Sequence, residues 1–237
     1  MRLWRQLKTD FLFQFRHGFY YAYLFMVLLY GIIILFLPAA YKQICATLFI
    51  LSDTSALGFF FIGGVLLLEK KQSLLTNVAV TPLRISEYIC SKCVSFLLLS
   101  LGSSILIQAA TLSPPGNIPL FLYCIISSSL LYTLFGLSLG ILSGSVNQYF
   151  ALSLCYLVFL VPAATYFLKV TPQAVFTVFP LTAAFLLFQA SIHSLSPEVW
   201  SIAGMLGWNI LFYFLGYLVL YRNIYTTLIS TRRGRNV

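Results

Sequence analysis

Six stretches of about 20 residues run almost without charge: Phe19 to Leu37, Ile44 to Leu68, Cys93 to Leu112, Ile118 to Leu142, Tyr149 to Leu168 and Trp200 to Tyr221. A helix needs ~20 apolar residues to cross the hydrocarbon core of a bilayer. These runs are continuous rather than alternating, which favours helices over a β-barrel. Only 8% of the 237 residues are charged and 60% are hydrophobic, whereas soluble domains carry about a quarter charged residues. The expected fold is therefore an all-α integral membrane protein, a single domain over 1–237 with six transmembrane helices. About 18 residues precede the first run, which is longer than the apolar core of a signal peptide, so it reads as an uncleaved span.

The distribution of charge orients this bundle. With both termini on the cytoplasmic side, twelve Lys and Arg residues fall inside and only Lys42 and Lys169 outside, as the positive-inside rule requires. The mostly apolar segment from Gln173 to Ile192 could be drawn as a seventh span. That would strand Arg232, Arg233 and Arg235 outside. Residues 170–199, interrupted by Pro172, Pro180 and Pro197, instead read as an external segment that dips into the membrane and returns. Such re-entrant backbone is tolerated where protein or a water-filled cavity surrounds it. The net charge of +9 reports orientation and contact with anionic headgroups rather than nucleic acid.

Three features depart from plain spans. In 1–17, Trp4, Leu7, Phe11 and Phe15 recur at helical spacing, with Arg5 and Lys8 among the polar positions, which predicts an amphipathic helix along the cytoplasmic interface. Such a helix either anchors at the membrane surface or also docks a partner. Asp53 lies inside the second run beside Ser52, Thr54 and Ser55. It either caps a helix that breaks there, leaving a shorter one from Thr54 to Leu68, or lines a pathway. Gly136, Gly140 and Gly144 are spaced four apart and permit close helix approach, within the chain or between copies.

Several function classes lose support. No GxxxxGK[ST] motif is present, so the chain lacks an NTPase phosphate loop and any ATP-driven work needs another chain to bind ATP and Mg. Asp53 is the one charged candidate at membrane depth, which weakens a secondary transporter. A polytopic lipid-modifying enzyme lacks a cluster of His, Asp or Glu; His17 and His193 are expected on opposite sides. The five cysteines are scattered and imply no disulfide framework. Cys90 and Cys93 have CxxC spacing without a second pair. No catalytic, cofactor or metal residue is expected on this chain.

Six of the 19 charged residues gather between Leu68 and Lys92: Glu69, Lys70, Lys71, Arg84, Glu87 and Lys92. Between them the stretch from Gln72 to Val78 is amphipathic and helix-compatible. Thr81-Pro82 stops it, because the residue before proline is driven out of the α region. Ser86 and Glu87 fit the start of a helix that continues into the third span. The whole reads as helix, turn, helix in a cytoplasmic loop, 69–92.

These residues carry a resemblance. Glu69, Leu74, Leu75, Thr81, Pro82, Leu83, Glu87, Tyr88 and Lys92 resemble the signature linking the second and third spans of type-2 ABC exporter permeases. Asp53, Phe60, Phe61, Ile62, Gly63 and Glu69 look closest to the fluoroquinolone-export permease group. The usual Gly-Thr after the charged start is replaced by Gln72 and Ser73. The resemblance implies a permease subunit of an exporter in the bacterial cytoplasmic membrane. It implies an ABC ATPase as partner and a second permease copy or sister permease. It also implies a coupling helix over about Lys71 to Val80. In that scheme Glu69 and Lys70 stand at its base, Leu74 and Leu75 face the ATPase, and Pro82 holds the turn. The substrate, whether drug, lipid or peptide, is not legible.

Overall fold

The computed structural model of the protein describes residues 2–72, 84–167 and 177–233. Among them are ten α-helices, here numbered in chain order: α1 (Arg2–Arg16), α2 (Phe19–Phe36), α3 (Ala39–Ser52), α4 (Gly58–Lys71), α5 (Ile85–Ala109), α6 (Ile118–Leu142), α7 (Val146–Ser153), α8 (Leu157–Phe167), α9 (Pro180–Ile192) and α10 (Val199–Arg233). A π-helical turn, Asp53–Leu57, joins α3 to α4, and a 3-10 turn, Leu154–Tyr156, joins α7 to α8. Six helical segments are long and apolar enough to cross a membrane: α2, α3 through α4, α5, α6, α7 through α8, and α10. The six expected spans are therefore present, and the fold is all-helical.

Local chemistry explains the helix ends. Gly18 takes a left-handed conformation (φ 79°) between α1 and α2, a geometry that glycine adopts without a Cβ penalty. The Asn117 side chain accepts the Leu120 amide at the start of α6 (3.1 Å), and Ser145 does the same for Gln148 at α7 (3.2 Å), each satisfying an orphan donor. At α5, the backbone N–H of Arg84 donates to Glu87 Oε2 (2.9 Å). That is the return half of a capping box, at the residue where the sequence placed the helix start.

The second span corrects one expectation. Asp53 neither caps nor breaks a helix; the chain stays helical and widens by a π-turn over Asp53–Leu57. The neighbouring hydroxyls account for this. Thr54 donates to the Ile50 carbonyl (3.0 Å) and Ser55 to the Leu51 carbonyl. Side chains thus bond two of the carbonyls at the wider turn, which eases the irregularity in an apolar interior.

Helix α6 is the buried centre. It packs against α4, α5, α9 and α10, and its Leu131, Tyr132, Leu137 and Ile141 are fully or nearly fully enclosed. The glycines set the closest approach. A Cβ on Gly136 would sit 2.7 Å from the Phe59 carbonyl oxygen, and one on Gly140 would sit 2.7 Å from Leu66 Cδ1. Both therefore serve the α6–α4 contact inside this chain. Gly144 lies beyond the end of α6, where a Cβ would meet only the Gln148 side chain at 3.4 Å. Across α4, Tyr149 fills the space over Gly63, leaving no room for a Cβ, and donates to the Phe59 carbonyl (2.8 Å). Helices α2, α7–α8 and α10 instead leave broad apolar faces exposed, among them Phe25, Leu28, Val158, Val161, Ile210 and Phe214.

Helix α9 has 13 residues, about 20 Å at 1.5 Å per residue. The Trp208 indole, part-way along α10, donates to the Val178 carbonyl just before α9 (3.0 Å). The far end of α9 meets the start of α6, where Asn117 N–H donates to the Ser191 carbonyl (2.7 Å).

Candidate functional site: a charged clamp at the roots of the loop

The loop of 73–83 lies outside the described residues, and with it Leu74, Leu75, Thr81 and Pro82. Its two roots, Glu69 to Gln72 and Arg84 to Lys92, are described, and they are tied together by charge.

Lys92, on the second turn of α5, is fully buried. Its ammonium donates to Asp10 Oδ1 on α1 (2.7 Å) and to Glu69 Oε1 on α4. Each carboxylate has a second donor. Tyr88 donates its hydroxyl to Glu69 Oε2 (2.7 Å), and Ser91 donates to Asp10 Oδ2. Gln6 adds a weaker bond to Asp10 (3.3 Å), and Gln14 bonds Ser95 one turn further along (2.9 Å). The ammonium also lies 5.3 Å from the Tyr88 ring centroid, within cation–π range. Two acids and one base leave one negative charge. Burial of that set is tolerable because all three ions are paired and further hydrogen-bonded.

The sequence sorts Glu69, Lys70 and Lys71 in three directions. Glu69 turns toward α1 and α5. Lys70 reaches across to α6 and donates to the Ile141 and Ser143 carbonyls, where a cation is favoured by the helix dipole and by the unpaired last carbonyls. Lys71 is exposed. At the following residue, Gln72 donates to His17 Nε2 (3.2 Å), while His17 Nδ1 lies 2.8 Å from the Phe13 carbonyl. One tautomer, with the proton on Nδ1, satisfies both contacts. Helix α1 therefore grips the loop's roots at Asp10 and His17.

The face that α1 turns to the rest of the protein was not specified by the apolar spacing. Leu7, Asp10 and Gln14 are buried, whereas Trp4, Arg5, Leu12 and Phe15 are exposed and Phe11 is half-buried. Sequence reasoning gave Asp10 and Gln14 no partner within the chain, and counted Lys92 only among the charges of the cytoplasmic loop. It missed the triad. The available signal was register: Leu7, Asp10 and Gln14 fall on one helix stripe, as do Tyr88, Ser91, Lys92 and Ser95, and each stripe contains a charge.

Asp53 is a further buried carboxyl group. Its Oδ2 accepts from Ser103 of α5, and its Oδ1 has no hydrogen-bond partner. A third feature is a groove of about 630 Å³ beside the loop root, between α4 and α7, lined by Phe60, Leu67, Lys71, Val146, Tyr149 and Phe150 among others. Its walls are apolar with lysine at one end.

Residues 1–232 match the model of the fluoroquinolones export permease protein family. The chain belongs to that family. It is 25% identical over 202 residues to the fluoroquinolones export permease protein of Mycobacterium tuberculosis, in both strain CDC 1551 / Oshkosh and strain ATCC 25618 / H37Rv, covering 85% of this chain and 85% of each relative. No solved structure matches it. The protein is a multi-pass membrane permease of an export family, which makes it a transporter rather than an enzyme.

Proposed function

We propose that this permease is the membrane subunit of an ATP-binding-cassette exporter and moves its substrate outward with ATP hydrolysed on a separate ATPase chain. Two permease chains, identical or sister, would pair across the exposed apolar faces. The termini and the loop of 73–83 lie in the cytoplasm in this reading, α1 lies along the membrane interface, and 170–199, of which 170–176 lie outside the described residues, forms a re-entrant element whose helix α9 packs on α6 and α10. The names of the relatives make fluoroquinolones the first substrates to try.

The observation that carries the coupling step is Lys92, shared between Asp10 on α1 and Glu69 on α4. An ATPase pressing on the loop, or on α1, meets a unit in which α1, α4 and α5 are joined by paired buried charges. A push at the loop is then delivered to the second and third spans together instead of being absorbed by a flexible hinge. Leu74 and Leu75 would be the apolar contacts with the ATPase, and Pro82 would hold the turn.

Purification of the tagged permease from membranes tests this. It should recover an ATPase subunit, and Leu74→Asp should abolish that recovery and export while leaving the permease inserted and folded. Absence of any ATPase together with unimpaired export by Leu74→Asp would overturn the reading.

A further inference from the structure

We propose that Asp53 and the hydroxyl groups around it bind a small monovalent cation, H⁺ or Na⁺, in the middle of the second span. The site stands independently of the ATPase reading.

Asp53 is fully buried. Ser103 satisfies one carboxylate oxygen; the other is bare. Among the described residues both ion pairs belong to Lys92, and neither reaches Asp53. An ionised carboxylate with a bare oxygen and no counter-charge is among the most unfavourable groups that can be buried. A mobile cation resolves that, and the lining suits one. From α2, the buried Tyr23 hydroxyl lies near Asp53 and Ser100, and no hydrogen bond of ordinary geometry satisfies it. From α5 come Ser103 and Ser100, and Ser129 of α6 donates to Ser100 Oγ (3.2 Å). On the other side of the π-turn, Tyr156 donates to Ser55 Oγ (3.0 Å), and the Tyr132 hydroxyl of α6 near it is also without a partner. Among the described residues the titratable group facing Asp53 is thus Tyr23 of α2, with Tyr132 and Tyr156 behind the π-turn at Ser55, and no lysine pairs with Asp53. Hydroxyls both donate and accept, so they can turn from bonding a carboxylate to coordinating a hard cation through oxygen.

The π-turn gives the site its reach. It holds Asp53 inward where α2, α5 and the second span meet, and π-turns recur at functional positions. A cation bound there neutralises the one unpaired charge in the contact between these three helices. It therefore favours whichever arrangement of them keeps Asp53, Tyr23 and Ser103 together.

The test is thermal unfolding of the full-length permease in lipid nanodiscs. Sodium replacing choline at constant ionic strength, or a fall in pH from alkaline to mildly acidic, should raise the midpoint by a few degrees in the wild type, because the folded state takes up the ion. Asp53→Asn should abolish that rise, and Ser103→Ala should shift it to higher sodium, because an oxygen ligand is lost, or to higher pH, because the lost hydrogen bond favoured the ionised carboxylate. The choline arm at fixed pH separates the sources: a sodium effect assigns a metal cation, and a pH effect without one assigns the proton. If Asp53→Asn fails to fold, Ser103→Ala and Tyr23→Phe carry the test. A wild type insensitive to both ions, or variants that respond as the wild type does, would overturn the proposal.

Discussion

Asp10 on α1, Glu69 at the loop root and Asp53 in the second span are all carboxylates shut away from solvent, yet the protein treats the first two and the third in opposite ways. The first pair is saturated. One lysine bridges the two acids, and tyrosine and serine hydroxyls fill their remaining oxygens. Asp53 has one hydroxyl donor and an unused oxygen. Fully paired charges lock helices in one arrangement, whereas an unpaired one leaves an interaction to be completed from outside the chain. The contrast separates a rigid part, suited to passing on force, from a part whose packing an ion can bias.

The largest effect that can break this contrast comes from Lys92→Met. The change leaves Asp10 and Glu69 facing each other with no cation. Removing one partner of a buried ion pair costs about 3–5 kcal/mol, so the variant should unfold at much lower temperature or fail to accumulate. Combining it with Asp10→Asn and Glu69→Gln removes the stranded charges and should recover most of the loss. If Lys92→Met were as stable as the wild type, the triad would not be holding α1 to α4 and α5.

Next in size is Asp10→Asn. Asparagine can still accept from Ser91, and Lys92 keeps Glu69 as a partner. What disappears is one charge-assisted hydrogen bond, a loss of roughly 1.5–3 kcal/mol. Stability should fall moderately, while export, if α1 transmits force, should fall much further than stability does. Equal losses in both, measured by unfolding midpoint and by drug efflux from proteoliposomes, would reduce Asp10 to a structural anchor.

How much of this was legible follows from what hydrophobicity can report. The six spans and the α5 start, placed at Ser86 and Glu87 and found at Ile85, could be read because apolar runs and a capping Glu87 are local signals. The direction faced by α1 could not. In water an apolar stripe marks the buried side; against lipid, Trp4 and Phe15 can stay outside while Asp10 and Gln14 turn inward to polar partners. The Lys92 pairings join residues 23 and 82 positions apart, and no local pattern announces a contact at such separation. Asp53 misled for a related reason. Asp, Thr and Ser in a row read as a helix start, but here the hydroxyls of Thr54 and Ser55 fold back on Ile50 and Leu51 and keep the helix running. The described helices also give Gly136 and Gly140 a use inside the chain, a choice that spacing alone left open.

The smallest effect sharpens the contrast most. Asp53→Asn keeps an oxygen to accept from Ser103 and puts an amide where the bare oxygen stood, close to the Tyr23 hydroxyl. No existing ion pair is lost, and the unneutralised charge goes. Without sodium and at alkaline pH, where the site stands empty, the variant should match or exceed the wild type in stability, because the buried charge it removes has no partner to lose. The same chemical change, Asp to Asn, should therefore destabilise at position 10 and be neutral or better at position 53. Parallel unfolding of the two variants measures that difference directly. If Asp53→Asn costs as much as Asp10→Asn under those conditions, then Asp53 is already neutralised within the chain, and the division into a paired and an unpaired carboxylate fails.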